Sequence, residues 1–195
     1  MTKHKSADER TTQILDAARI CFIEKGYFAT KMDEIAKTAG LSKGGVYFHF
    51  NSKQDIFHTL VESECQKTQD FLDSVVIEQA SLSDKLLHIG QHFVELFASS
   101  DNPRFIAVIT EMTLRDQEIA DIYQRMQDSY IEKIQELLES SKELPDGVDT
   151  QKIAFLLMAL MDGIQLSYIH PPTFTSVEDV LQSGLDMILH GLIKS

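Results

Sequence analysis

Residues 39–50 read AGLSKGGVYFHF, and their types and spacing suit contact with a polyanion. Lys43 supplies a positive charge and N–H donors that fit phosphate oxygens or guanine edges. Tyr47 and His49 carry polar heads suited to phosphate oxygens, and Phe48 offers an apolar ring to a thymine methyl or a sugar. Lys53 follows closely enough to reach a sugar–phosphate backbone. Gly44 and Gly45 each cost about 1 kcal/mol relative to Ala inside a helix. Their presence makes sense where a bare backbone must approach a groove floor and amide groups favour an anion.

Other candidate chemistry is weaker. His88 and His92 stand at i and i+4, a zinc-ligand spacing, but Ile89 occupies the position where a zinc protease carries its glutamate. No nucleophile–base pairing and no phosphate loop is present, so no catalytic residue, cofactor or metal site is expected. A small metal-dependent enzyme using His88 and His92 is the rival reading from another class. Asp162 is the one charge in IAFLLMALMDGIQLSYI and requires a partner or a polar cavity if buried. Cys21 and Cys65 fall on different expected helices and fit a reducing cytoplasm better than a disulfide scaffold.

The elements that hold these residues read with helical period almost throughout. Residues 12–25 place Ile14, Leu15, Ala18, Cys21 and Phe22 on one stripe, with Gly26 as the stop. Residues 31–38 form a short helix with Ile35 inward. Gly40 suits a left-handed turn, and Ser42 caps the second motif helix within residues 41–50. Ile35, Ala36, Leu41 and Val46 then have the spacing a helix-turn-helix needs. Ser52 caps a long helix from Lys53 to about Gln79, and Ser81 or Ser83 caps the next, which runs to Ser99. Further helices cover about 102–115, 117–141, 150–169 and 176–193, with ELPDGVD and HPPTFT as breakers. The expected fold class is all-α with about nine helices.

The composition, 43% hydrophobic and 25% charged, is that of a globular protein, and no run of about eighteen apolar residues is present to span a membrane. The polar N-terminus has no apolar stretch of the signal-peptide kind. The net charge of -12 argues against a surface coated in nucleic acid. Yet residues 1–53 hold nine Lys/Arg against six Asp/Glu, while residues 54–195 carry a net -15. The expected division is therefore a basic module at 1–53, with its motif at about 31–50, and an acidic domain at 54–195. The basic residues from Lys3 to Arg10 suit an arm along the phosphate backbone.

The segment ILDAARICFIEKGYFATKMDEIAKTAGLSKGGVYFHFNSKQDIF resembles the DNA-binding domain of TetR-family transcriptional regulators. Gly26 before the motif, EIAKTAGLSKG within it, then VYFHF and Lys53 match in order. The resemblance implies DNA contacts from Thr30 and Lys31 at the start of the first motif helix, and from Ser42, Lys43, Gly44, Gly45, Tyr47, Phe48, His49 and Lys53. Many relatives carry Thr, Ser or Asn where this chain has Gly45, and Tyr where it has Phe48, so one side-chain base contact and one phosphate hydroxyl are missing here. Phe50 belongs to the core in this pattern.

The implied function is a cytoplasmic, homodimeric, ligand-responsive repressor that binds a double-stranded DNA operator. An activator or a ligand-independent regulator is the alternative in the same class. Phe93, Met112, Tyr123, Met126, Tyr130, Met158, Asp162, Gln165 and Tyr168 are expected to line a pocket for a small apolar or cationic effector. The stripe Val177, Leu181, Leu185, Ile188, Leu189 and Leu192, with Val180 beside it, is expected to face a second copy in a four-helix bundle.

Overall fold

The computed structural model describes residues 6–76, 79–98, 101–169, 173 and 175–192. These residues contain nine helices and no strand. They divide into two compact units, Met1–Cys65 with Arg104–Tyr123, and Gln66–Pro103 with Gln124–Ser195. The charge break at residue 53 is thus not where the compact units part.

In the first unit α1 runs Ala7–Ala29, α2 Met32–Thr38 and α3 Lys43–Tyr47, followed by the start of α4, Lys53–Val76. Helix α1 begins earlier than the apolar stripe suggests because Ser6 and Glu9 form a capping box. The Glu9 N–H donates to Ser6 Oγ at 3.2 Å, and the Ser6 N–H donates to the Glu9 carboxylate at 2.8 Å. Residues 7–10 of the expected basic arm are therefore helical, and residues 3–5 lie outside the described residues. Gly26 interrupts α1 with φ 76° and ψ 165°, a conformation that glycine alone adopts without strain. Residues 27–29 add one more turn after it.

The core of this unit is assembled from Ile14, Ala18 and Phe22 of α1, Ile35 of α2, Val46 of α3 and Ile56, Phe57 and Val61 of α4, all fully enclosed. The Phe22 and Phe57 rings meet edge to face at 5.2 Å, a geometry worth about 0.5–1.5 kcal/mol beyond the area buried. Helix α6 (Asp101–Thr113) and the beginning of α7 (Gln117–Ser140) complete it through Phe105, Ile109, Met112, Ile119 and Ile122. Asp116 anchors this return. Its Oδ1 caps α7 by accepting the Glu118 and Ile119 N–H groups, and its Oδ2 accepts from Gln54 of α4 at 3.0 Å.

The second unit packs the end of α4 with α5 (Leu82–Ala98), the rest of α7, α8 (Thr150–Ile169) and α9 (Val177–Leu192). Ser81 caps α5 and Ser176 caps α9. Helices α5 and α9 cross closely at Gly90, where a Cβ would lie 2.7 Å from Leu185 Cδ1. His88 is exposed and His92 half-buried, and both lie against Phe71. The His92 ring stacks on Phe71 at 3.6 Å, and His88 meets the same ring edge-on at 5.4 Å. Burial pushes the His92 pKa down, and among the described residues no cluster of three metal-ligating side chains forms. No helix among the described residues is long and apolar enough to cross a membrane.

Candidate nucleic-acid interface

Helices α2 and α3 are joined by a turn whose geometry follows from Gly40, at φ 66°. The Leu41 N–H returns to the Ala36 carbonyl at 2.9 Å, and the Gly40 N–H to Lys37 at 3.1 Å. Ser42 then caps α3, its Oγ accepting from the Gly45 N–H at 3.1 Å. A Cβ on Gly45 would stand 3.3 Å from that same Oγ, so glycine keeps the cap compact. At Gly44 nothing lies within 4 Å of such a Cβ. The chain itself gives no reason for glycine there.

Val46 is fully buried and Phe50 nearly so, and the two fix the rotation of α3 on the core. That rotation turns Ser42, Lys43, Gly44, Tyr47 and Phe48 outward. Phe48 is 84% exposed. Its ring is thus open to a partner's surface. His49 is half-buried, with Nδ1 3.5 Å from Thr11 Oγ1. Lys43 is exposed and reaches back to α2, where its Nζ lies 2.8 Å from Asp33 Oδ1. That carboxylate raises the Lys43 pKa. Pattern reading missed Asp33, because a partner ten positions away across a turn leaves no periodic signal.

Lys31 is exposed immediately before α2, its N–H donating to the Glu34 carboxylate at 2.9 Å, and Glu34 also pairs with Lys25. Thr30 corrects the expectation placed on it. It is 1% exposed, and its hydroxyl points to the carbonyls of Cys21 at 3.1 Å and Gly26 at 2.8 Å, closing the end of α1. A side chain enclosed in this way has no face for DNA. Lys53 also differs from expectation, since its ammonium turns inward onto the carbonyls of Tyr27 at 2.6 Å and Thr30 at 2.8 Å.

The residues expected around an effector are shared between the two units. Met112 and Tyr123 belong to the core of the first unit. Phe93, Tyr130 and Tyr168 pack on the core of the second, where Met126 and Gln165 are half-buried and Met158 is buried. Asp162 lies on an exposed stripe of α8 with Phe155 and Leu166. Its apolar neighbours push its pKa up by desolvation. A shallow cleft of about 310 Å³ in this unit is lined by Ile131, Gln151, Lys152 and Phe155, none of them among the expected residues.

Three residues of the stripe expected to face a second copy are corrected as well. Val177, Leu181 and Leu185 are buried by this chain's own α5 and α8, because those helices claim the most apolar side of α9. Ile188 packs partly on the same core, and the side chains of Leu189 and Leu192 lie outside the described residues. The apolar residues left exposed are Phe155, Leu156 and Leu166 on α8 and Val180 and Met187 on α9.

A buried helix-turn-helix scaffold with an outward-facing second helix, on an all-α chain, is the architecture of a DNA-binding module. Residues 14–60 match the family model for bacterial regulatory proteins of the tetR family, and residues 95–190 match that for the C-terminal part of BetI-type transcriptional repressors. The chain belongs to the TetR family. It is 30% identical over 142 residues to the fatty acid metabolism regulator protein of Bacillus subtilis, a match spanning 72% of this chain and 66% of that protein. Its fold is similar to that of the Bacillus subtilis regulator FadR solved in complex with stearoyl-CoA, with a TM-score of 0.71 at 24% identity over 92% of this chain and 98% of that one. It is also similar to that of a transcriptional regulator from Saccharomonospora viridis solved in complex with choline, with a TM-score of 0.76 at 21% identity over 96% and 100%.

Proposed function

We propose that the protein is a homodimeric repressor that releases its operator when a small molecule binds the second unit. The observation that carries the DNA-reading part is the outward face of α3, where Lys43, Tyr47 and Phe48 surround a Gly44 with open space above it. Such a surface has a use in a major groove and none in folding. Lys43 meets base edges or phosphate, Lys31, Tyr47 and His49 meet the backbone, and Phe48 meets a methyl or sugar. Acting on an operator, the protein works in the cytoplasm.

Dimerisation is supported by the exposed stripe of Phe155 and Leu166 on α8 with Val180 and Met187 on α9. Two such pairs form a four-helix bundle in which each copy buries the other's apolar face. A two-fold dimer places α3 of each copy in successive major grooves, with half-sites roughly 34–36 Å apart or at a multiple of that spacing. Effector response is supported by solved relatives that hold stearoyl-CoA and choline. For this chain we favour a small apolar or cationic ligand, because the second unit holds seven Lys/Arg against seventeen Asp/Glu, a net -10 that repels polyanions. An effector that loosens DNA binding must itself bind the DNA-bound form less tightly.

Selection from a random DNA pool tests the proposal directly. It predicts a palindromic site with one enriched half-site per copy. An enriched site without two-fold symmetry overturns the dimeric reading, and no enrichment overturns operator recognition. Compounds of both classes are then assayed for release from that site.

A further inference from the structure

We propose that Lys53 is a positioning residue for operator recognition, acting through the carbonyls at the end of α1 and not through a DNA phosphate. The proposal rests on the reading of the chain as an operator-binding regulator.

The geometry begins with the break at Gly26. A helix end leaves carbonyls without amide partners, and here the chain turns sharply into α2 within a few residues. The carbonyls of Tyr27, Phe28 and Thr30 converge on one point. Lys53 Nζ occupies it, at 2.6, 3.4 and 2.8 Å respectively. An ammonium has three protons and accepts nothing, so these carbonyls engage its whole donor capacity. The Tyr27 ring closes another side, its centroid 4.3 Å from Nζ. Among the described residues no carboxylate pairs with Lys53. Its stem is partly buried, and that burial lowers its pKa.

The consequence is mechanical. Lys53 is the first residue of α4, and α4 carries Ile56, Phe57, Leu60 and Val61 into the core. One ammonium therefore ties the start of α4 to the segment that leads from α1 into α2. That segment contains Thr30, locked on the Cys21 and Gly26 carbonyls, and Lys31, at the entry to α2. The helix-turn-helix hangs between these two fixed ends. To touch a phosphate, Lys53 would have to abandon three carbonyls and a ring.

Full-length Lys53→Met and Lys53→Arg, with wild-type protein and the operator selected by it, separate the alternatives. Each is titrated over a salt series at a temperature where circular dichroism shows it folded, against operator and unrelated DNA. A positioning role predicts that Lys53→Met loses about tenfold or more in operator affinity and little on unrelated DNA. The slope of log K against log salt stays at its wild-type value. Arg keeps the charge but not the compact ammonium, so Lys53→Arg falls measurably below wild type. A slope reduced by about one for each copy, with Lys53→Arg at wild-type affinity, overturns the proposal in favour of a phosphate contact. A lower melting temperature with unchanged operator affinity overturns it in favour of stability alone. If Lys53→Met does not fold, Lys53→Arg decides between the two by its affinity and slope. A wild-type chain that selects no operator is a different result, and it removes the regulator reading together with this one.

Discussion

Lys43 Nζ lies 2.8 Å from Asp33 Oδ1, so the only base on α3 is already met by a carboxylate on α2. Both side chains are well exposed, and an exposed pair of this kind is screened by water and salt. A duplex carries far more negative charge than one aspartate, so Lys43 exchanges partners on binding. Asp33→Asn should then tighten operator binding a few-fold at low salt, because it frees Lys43 and removes a negative charge from the DNA side. Lys43→Ala should weaken it by about tenfold or more with the melting temperature unchanged. Titrations at fixed salt check both, and an Asp33→Asn variant that binds more weakly would show that the pair orients Lys43 for contact.

Gly44 separates the interests of folding from those of binding. Its backbone is ordinary helix and a Cβ there meets nothing. Gly44→Ala should raise stability by about 0.5–1 kcal/mol through helix propensity. The same methyl occupies space above the groove floor, so operator affinity should fall. Thermal melting and an operator titration on one variant read the two signs. Unchanged affinity would mean that the helix never comes close to DNA at this point.

Local signals carried much of this far. Gly26 and Gly40 both take positive φ where the sequence asks for a stop and a turn, Ser42 and Ser52 both cap, and α8 spans 150–169 as its apolar run suggests. Three things were beyond local reading. Asp33 and Lys43 meet across a turn. The apolar stripe of α6 carries no mark that it joins the core containing Phe57, far away in sequence. Helix α8 is apolar round much of its circumference, so its sequence does not say which apolar side the chain covers and which it leaves open. The Ser-x-x-Glu signature at Ser6–Glu9 is a local signal too, and it marks the start of α1 ahead of the apolar stripe.

Thr30→Val tests the corrected role of that residue. Valine fills the same volume but leaves the Cys21 and Gly26 carbonyls without their hydroxyl donor. Stability should fall by about 1–2 kcal/mol, read from denaturant midpoints. The salt slope of operator binding should stay at its wild-type value, whereas a phosphate contact from Thr30 would require weaker binding at unchanged stability.

Leu166 and Leu185 distinguish the surface from the core. Leu166 is 62% exposed and Leu185 3%. Leu185→Asp puts an unpaired carboxylate where α9 crosses α5, costing several kcal/mol, and should unfold the second unit. Leu166→Asp should leave each chain folded and shift the population to monomers in sedimentation. A folded Leu166→Asp protein that sediments as wild type would place the dimer seam away from this stripe.

Asp162 gives the pH dependence of the same surface. Its carboxyl titrates above the ordinary value of 3.8 because apolar neighbours disfavour its charge, and no described residue offers it a hydrogen bond or an ion pair. The folded chain therefore holds this proton to a higher pH than the unfolded chain does. Stability from this group is full below about 3.8, falls as pH rises through the raised value, and stays lower at neutrality. Asparagine carries no charge at any of these pH values. Asp162→Asn should melt higher than wild type near pH 7, and the two curves should converge as pH falls below the ordinary carboxylate range. A second copy laid over Phe155 and Leu166 removes more water from the carboxylate. The gap should consequently widen with protein concentration as dimer replaces monomer. Melting curves at two concentrations from pH 3 to pH 8 test both statements. A variant that melts lower than wild type at pH 7 would mean that Asp162 has a stabilising partner across the dimer. A gap independent of concentration would leave the desolvation within one chain and take Asp162 out of the seam.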